Sequence, residues 1–252
     1  MAQRELIRLS RNPFAVVISL LMPFLFLVVL GTGLNTAVGS ASDDTDYRTY
    51  LLPGVLVMVV LAPAVNTGVS IVWDRRAGFL REMLVAPVHR SALIAGICLG
   101  GALAATSYGG LMLLLAALFG ITFDPFLLAP LLLELLVITL ALTALGALAA
   151  VSITRIETFQ AVVGLTMMPL IFLSGAVFPV SGLPGWLNAA VLANPLSYGV
   201  DALRRTLFPD LGASTGLDWG GWQPSVTLEI ALIGALTLLA LFTAARRFSR
   251  IE

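Results

Sequence analysis

The amino-acid sequence predicts an all-α polytopic membrane protein, and two observations support this prediction. Hydrophobic residues make up 59% of the 252 residues, charged residues make up 11%, and the mean hydropathy is +1.00. Those values lie outside the range of soluble domains. Six segments also reach the roughly 20 apolar residues that a helix needs to cross a bilayer. We place these spans at about 13–33, 51–72, 92–119, 126–151, 159–179 and 226–246, within a single membrane domain 1–252.

The residue types present restrict the chemistry of this chain. All 14 basic residues are arginine. The chain therefore lacks the lysine that a G-x-x-x-x-G-K-[ST] phosphate loop and Schiff-base catalysis require. One cysteine, Cys98, and one histidine, His89, cannot form a disulfide or a Cys/His metal site within one chain. We expect no catalytic residue, no metal and no cofactor bound by this chain.

Residues 2–12 are predicted to form a short helix that lies in the membrane interface. Arg4, Arg8 and Arg11 fall within an arc of about 60° on a helical wheel, across from Leu6 and Leu9. Such a helix can direct its arginines towards lipid phosphates while its leucines face the acyl chains.

The segment 74–87 is the longest charged run between two spans. Read as a helix from residue 74, it places four apolar side chains within about 140° of one another. These are Phe79, Leu80, Met83 and Leu84. The segment also contains charged residues and a proline that ends the helix, namely Asp74, Arg75, Arg76, Arg81, Glu82 and Pro87. Two interpretations stay open, a docking surface for a partner or a basic cytoplasmic loop that only sets topology.

The distribution of arginines predicts the orientation of the spans. Eleven of the 14 arginines lie in the two terminal segments and in the second and fourth connections. The other three, Arg48, Arg204 and Arg205, lie in the connections on the opposite side. Because positively charged loops stay on the cytoplasmic side, both termini and the segment 74–87 are predicted to be cytoplasmic.

The stretch 180–225 has apolar pieces that are too short to cross a membrane. We interpret it as short interfacial or re-entrant helices on the outer side. Four prolines inside the predicted spans should kink their helices, namely Pro23, Pro53, Pro63 and Pro169. Gly96 and Gly100 form a G-x-x-x-G pattern that is typical of a close-packing helix face.

Two carboxylates lie inside predicted spans, where an ionisable group is unfavourable and is often functional. Glu134 lies about two turns into the fourth span. It is either a functional acid or a structural one that is protonated or paired across helices. Glu229 lies about one turn into the sixth span, and we expect it to reach the interface.

Two stretches together resemble the permeases of type 2 ABC exporters, especially the daunorubicin-resistance type. The first is DRRAGFLREMLVAP at 74–87, which resembles the cytoplasmic coupling segment of that family. The second is FLSGAVFPVSGLPGWLNAAVLANPLSYGVDALR at 172–204, with its Asn-Pro-x-x-Tyr element Asn194, Pro195 and Tyr198. The resemblance covers essentially the whole chain. Many members carry acidic residues where this chain has Arg76 and Arg81.

The resemblance implies the membrane-spanning permease subunit of an ATP-driven exporter in the cytoplasmic membrane of a bacterium. Two copies of a separate ATPase would hold ATP and Mg, and a second permease copy, identical or related, would complete the dimer. No nucleic acid is involved. The apolar residues of 74–87 would pack into a groove on the ATPase, and its charged residues would set partner choice at the rim. Plausible liners of the substrate path are Asn66, Met168, Phe172 and Phe178.

The substrate implied is a hydrophobic drug or a lipid-like molecule, and a polysaccharide or glycolipid remains the alternative. Two other classes stay open. One is a proton-coupled secondary transporter that uses Glu134. The other is a membrane scaffold that does not transport.

Overall fold

The computed structural model describes residues 13–38, 47–76, 90–121, 123–153, 155–180, 182–209 and 216–248. These residues form helices and no strand, which confirms the all-α prediction. Five helical stretches in this part of the chain are long and apolar enough to cross a membrane. They are Val16–Leu34, Tyr47–Trp73, Ala92–Leu118, Pro125–Ser152 and Val226–Phe248.

The helices follow one another in this order. Helix α1 is Pro13–Leu25, a π-helical turn follows at Phe26–Leu30, and α2 is Gly31–Val38. Helix α3 is Tyr47–Arg76, α4 is Arg90–Leu118, and a 3₁₀ turn at Pro125–Leu127 leads into α5, Leu128–Ser152. Helix α6 is Ile156–Phe172, α7 is Gly185–Ala193, α8 is Pro195–Leu207 and α9 is Val226–Phe248.

The centre of the bundle is formed by α3, α4 and α5, which pack against one another, and α9 packs against α5. Helix α3 is buried on all sides in its first half, since the eight consecutive residues 50–57 are all buried. A helix that is apolar all round belongs in the interior of a bundle. The second predicted span is therefore the central helix of the described part of the fold.

The prolines affect their helices in different ways. The regular α-helical pattern of the first span changes to a π-helical turn three residues beyond Pro23. Such turns commonly accompany a local shift in backbone hydrogen bonding. Helix α3, in contrast, continues through both Pro53 and Pro63 to Arg76 as one 30-residue helix.

A tight turn joins α4 to α5, as expected from the few residues that separate the third and fourth predicted spans. Gly120 adopts a left-handed backbone conformation with φ of +88°, which ends α4 without steric strain. The carboxylate of Asp124 then accepts a hydrogen bond of 2.9 Å from the backbone N–H of Phe126. This side-chain cap satisfies one of the free amides at the beginning of the next helix.

The fifth predicted span, 159–179, is shorter in the structure than the sequence suggests. Helix α6 ends at Phe172, with Pro169 in its last turn, and Gly175 follows in a left-handed conformation with φ of +72°. Its 17 residues extend about 26 Å, less than the roughly 30 Å of a hydrocarbon core. Residues 173–180, here called the outer turn, leave the helix and fold against α3 and α8 instead of continuing the span.

Of the predicted G-x-x-x-G pair, Gly96 makes no close approach to a neighbouring helix. A Cβ atom added at Gly96 would meet no other atom within 4 Å. A Cβ at Gly101 would instead collide with the side chain of Thr67 on α3. The helix pattern therefore pointed to the right helix but not to the glycine that makes its close contact.

Candidate functional site

The predicted coupling segment lies mostly outside the described residues. Helix α3 runs to Arg76, so the backbone of Asp74, Arg75 and Arg76 continues the second span instead of beginning a separate helix. The other predicted coupling residues lie outside the described part of the chain, namely Phe79, Leu80, Arg81, Glu82, Met83, Leu84 and Pro87. The interfacial helix with Arg4, Arg8 and Arg11 lies outside it as well.

Helix α6 carries two of the predicted path residues on a largely open surface. Of its side chains, Ile156 and Phe159 are buried. Phe159 packs where α3 and α5 meet, because a Cβ added at Gly68 of α3 would lie 2.7 Å from its Cζ. Further along the helix, Met168 is 64% exposed and Phe172 is 49% exposed. The helix is therefore packed near its first turn and open along most of its length.

The four predicted path residues lie on α3, on α6 and in the outer turn. Asn66 is exposed on α3, and α3 packs against α6. Met168 and Phe172 are exposed on α6, whereas Phe178 in the outer turn is half-buried. This placement puts three of the four on open surface of two neighbouring helices. Their role in a substrate path stays a prediction.

Two side chains from different helices bind one carbonyl of the outer turn. Arg204 of α8 donates a 2.7 Å hydrogen bond from Nη2 to the carbonyl oxygen of Gly175. The Tyr50 hydroxyl of α3 donates a 3.2 Å hydrogen bond to the same oxygen. The guanidinium carbon of Arg204 also lies 4.3 Å from the centroid of the Tyr50 ring, at cation–π distance. Burial lowers the pKa of the Arg204 guanidinium, an effect that Tyr50 and Asp201 oppose, and arginine remains charged in proteins.

The outer turn also packs closely against α3, and this contact surface on α3 is here called its seat. A Cβ added at Gly54 would lie 2.6 Å from the Cα of Ala176, so a glycine is needed for the two backbones to approach. The Tyr47 hydroxyl donates a 2.7 Å hydrogen bond to the carbonyl of Val177. Together with Tyr50, these contacts hold the outer turn against the first two turns of α3.

The predicted outer motif connects α8 to the end of α6. Asn194 caps α8, since its Oδ1 accepts a 3.0 Å hydrogen bond from the N–H of Leu196, and Pro195 is the first helical residue. The Asn194 amide donates a 2.7 Å hydrogen bond to the carbonyl of Leu170, one of the last carbonyls of α6. The Tyr198 hydroxyl instead binds the Leu192 carbonyl of α7 at 2.7 Å. This motif therefore connects the beginning of α8 with the end of α6 and the end of α7.

A buried ionic cluster lies on the other face of α8, against α9. Nη2 of Arg205 lies 2.7 Å from Oδ2 of Asp201 and 3.8 Å from Oε1 of Glu229. Nη1 of the same guanidinium donates a 2.6 Å hydrogen bond to the carbonyl of Pro224. The expectation that Glu229 reaches the interface is wrong, because its side chain is fully buried. The packing of α9 against α8 turns this carboxyl towards Arg205 instead of outward.

Glu134 is paired across helices, which is one of the two structural roles considered for it. The Thr206 hydroxyl of α8 donates a 2.6 Å hydrogen bond to Oε1 of Glu134 on α5. The carboxyl is half-buried next to the ionic cluster of α8 and α9. The contact joins α5 to α8.

Sequence reasoning identified Asn194, Pro195 and Glu134 but not the residues that bind the outer turn. Arg204 entered only as part of a charge count, and Tyr50 was not considered. The spacing of Asp201 and Arg205 is i, i+4 on a helix, which allows an ion pair. That spacing, together with two carboxylates in neighbouring spans, was the available signal for a buried polar cluster at this end of the bundle.

The apolar spans define a polytopic α-helical membrane protein, and the buried charged groups of the described residues contact other polar groups. Residues 1–208 match the family model described as ABC-2 type transporter. Since this match spans most of the sequence, the chain belongs to the ABC-2 type transporter family, and it is a membrane permease of that family.

Three relatives illustrate the similarity. The chain is 29% identical to ycf38 of Cyanophora paradoxa, a candidate transport permease, over 81% of this chain and 71% of the relative. It is 28% identical to the daunorubicin resistance ABC transporter permease protein DrrB1 of Streptomyces coeruleorubidus, over 83% of this chain and 74% of the relative. It is also 28% identical to nodulation protein J of Rhizobium leguminosarum, over 73% of this chain and 71% of the relative.

Proposed function

We propose that this chain is the membrane-spanning subunit of an ATP-driven exporter, which moves a hydrophobic drug or lipid-like substrate out of a bacterial cell. The observation that carries the proposal is the family match over residues 1–208. A relative named for daunorubicin resistance favours a hydrophobic substrate over a polysaccharide. The chain itself binds no nucleotide in this proposal, and a separate ATPase supplies ATP and Mg chemistry.

The segment 74–87 is the proposed docking surface for the ATPase. Its first three residues, 74–76, are the last residues of α3, which extends without a break from Tyr47 beside the outer turn to Arg76. At 1.5 Å per residue, this 30-residue helix is about 45 Å long. A displacement of the docking segment would therefore act on a single continuous helix that reaches the opposite end of the bundle. This geometry supports a coupling role for 74–87 over a loop that only sets topology.

A second permease copy is the proposed partner of the exposed apolar side chains of α1 and α6. Helix α1 exposes Phe14, Val17, Ile18, Leu21, Met22 and Leu25. Helix α6 exposes Val162, Leu165, Met168 and Phe172. Lipid covers part of any such surface, but α6 is short for a membrane span, and a facing copy would shield its end. The substrate path would then lie between the two copies.

The proton-coupled alternative receives less support from the site. Its proposed acid, Glu134, accepts a hydrogen bond from Thr206 and joins two helices. A carrier acid that alternates between two sides would need access to both, whereas this contact fixes the carboxyl within one packed region. The scaffold alternative predicts no effect of the segment 74–87 on any export.

The test of the proposed function is co-purification from gently solubilised membranes. The wild-type chain is compared with Leu80→Arg/Leu84→Arg, which places two charges on the proposed docking face. The matched control is Phe126→Arg, an apolar-to-arginine change at a 90% exposed side chain on the predicted outer side. Wild type and the control should retain an ATPase, and the double variant should lose it.

Drug transport into inverted membrane vesicles, which corresponds to export from the cell, completes the test. Uptake of a hydrophobic fluorescent drug should require ATP and should fall to background in Leu80→Arg/Leu84→Arg. If wild type retains no ATPase and its uptake is driven by a proton gradient without ATP, the exporter proposal is wrong.

A further inference from the structure

We propose that Arg204 and Tyr50 are positioning residues that hold the outer turn 173–180 and thereby set the position of the C-terminal end of α6. The proposal rests on the proposed function in one respect, namely that α6 lines the substrate path. The binding of the outer turn by these two residues concerns the chain alone and is tested separately.

The geometry at Gly175 is the first step. Its carbonyl oxygen has two lone pairs, and it accepts one hydrogen bond from Arg204 on α8 and one from Tyr50 on α3. The two donors are themselves in contact, because the guanidinium of Arg204 lies over the Tyr50 ring. The outer turn is therefore held at a single atom from two directions.

The burial of Arg204 is the second step. Its side chain is 1% exposed, and removing a guanidinium from water is unfavourable unless its contacts compensate. Arg205, one residue later, lies beside two carboxylates. Arg204 instead directs its charge to a backbone carbonyl and an aromatic ring. A buried cation aimed at one carbonyl indicates that the position of that carbonyl matters.

The way α6 is attached is the third step. Near its first turn, Phe159 anchors the helix where α3 and α5 meet. The C-terminal end of α6 is held at two places, by the hydrogen bond of Asn194 to the Leu170 carbonyl and, beyond Phe172, by the outer turn through Gly175. Most side chains between Phe159 and Phe172 are open. Displacement of the outer turn would therefore remove one of the two supports of the exposed half of α6 that carries Met168 and Phe172. Arg204 and Tyr50 thus act on the proposed path through α6 and not by touching substrate.

The fourth step concerns the helices that carry the two residues. Arg204 belongs to α8, which is joined to α5 through Thr206 and Glu134 and lies beside Glu229 of α9 through Arg205. Tyr50 belongs to α3, the helix that continues into the proposed docking segment. Movement of α3 relative to α8 would separate the two donors from each other, so that the Gly175 carbonyl could keep only one of its two hydrogen bonds. The outer turn is therefore placed where a relative motion of these helices can release it.

The test measures how often the outer turn opens. Val180 at the end of the turn is 8% exposed, and Val180→Cys in a Cys98→Ala background provides a protected thiol. A membrane-impermeant maleimide then labels this thiol only when the turn leaves its seat. Val200→Cys on α8, fully buried, reports opening of the whole region.

Tyr50→Phe is the gentle variant, because it removes one hydroxyl and leaves the ring in place. Loss of a single hydrogen bond should raise the labelling rate of Val180→Cys roughly two- to tenfold. The matched control is Thr139→Val, which removes a buried hydroxyl with a 3.2 Å hydrogen bond to the Ala102 carbonyl, away from the turn. It should leave the rate unchanged. Arg204→Met should raise the rate further than Tyr50→Phe, and Arg204→Lys should recover part of the difference.

The outcomes separate the two proposals. Unchanged labelling of Val180→Cys in both Tyr50→Phe and Arg204→Met would overturn the inference, and so would an equal rise at Val200→Cys. Where the ATPase co-purifies, Tyr50→Phe should lower the amount of drug exported per ATP about two- to fivefold at an unchanged ATPase rate. If Tyr50 had only a structural role, drug export and ATPase rate would both fall in proportion to the amount of folded protein. The labelling result stands whether or not an ATPase is found.

Discussion

The hydroxyl of Thr206 and the carboxyl of Glu134 form a 2.6 Å hydrogen bond that joins α8 to α5. These residues are 72 positions apart in the sequence, and hydropathy does not predict that they pair. The pairing shows that an intramembrane acid in this chain has a partner on a neighbouring helix. It also yields a direct test of the two roles considered for Glu134.

Glu134→Gln should leave ATP-dependent export largely intact. Glutamine has nearly the same shape and keeps a carbonyl oxygen that can accept from Thr206, so the free energy of unfolding should fall by no more than about 1 kcal/mol. The measurement is drug uptake by inverted vesicles, normalised to folded protein. Abolition of uptake with normal stability would favour the proton-coupled alternative.

Asp201→Asn should destabilise the described bundle strongly. Asp201 and Arg205 lie 2.7 Å apart, with 3% and 14% of their side chains exposed, and Glu229 is a further 3.8 Å contact of the same guanidinium. Neutralising one partner of a buried pair typically costs about 3–5 kcal/mol, and the partial exposure of Arg205 places our expectation near the lower value. Thermal unfolding in detergent measures the effect. Asp218→Asn, at an exposed position, is the control and should shift the transition little.

Gly54→Ala should weaken the seat of the outer turn. The added methyl group would lie 2.6 Å from the Cα and Cβ of Ala176, and overpacking of this kind costs about 1–3 kcal/mol. Gly234→Ala on α9 is the matched control, because a Cβ there meets nothing within 4 Å. The control should be neutral or slightly stabilising, since alanine is the better helix former. Equal unfolding temperatures for the two variants would show that close packing of the outer turn on α3 contributes nothing to stability.

Asn194→Ala and Asn194→Asp should separate the two contacts of this side chain. Alanine loses both the cap of α8 and the hydrogen bond to Leu170, and we expect a loss of about 2–3 kcal/mol. Aspartate still accepts from Leu196 but cannot donate to Leu170, so it should recover about half of that loss. The measurement is again thermal unfolding. A fully stable Asn194→Ala would contradict the connection between α8 and α6.

The sequence by itself determined the class of protein and most of its helices. Mean hydropathy and segment length are local properties, and the thickness of the bilayer converts them directly into spans. The turn between α4 and α5 was also predictable, because Gly120 and Asp124 act through their own backbone neighbourhood. The Asn-Pro element was recognised by its resemblance to a family motif, and its cap and first helical residue are adjacent in sequence.

Only the tertiary structure decided how those helices use their polar residues. In spans that are apolar all round, periodicity does not indicate which face meets a neighbour, so Gly101 and not Gly96 makes the close contact. The same limit concealed the burial of Glu229 and the pairing of Glu134 with Thr206. It also concealed the shared carbonyl of Gly175, which residues 125 and 29 positions away reach only after the helices have packed. Burial of a charge depends on the whole packed bundle, and that information is spread over the entire chain.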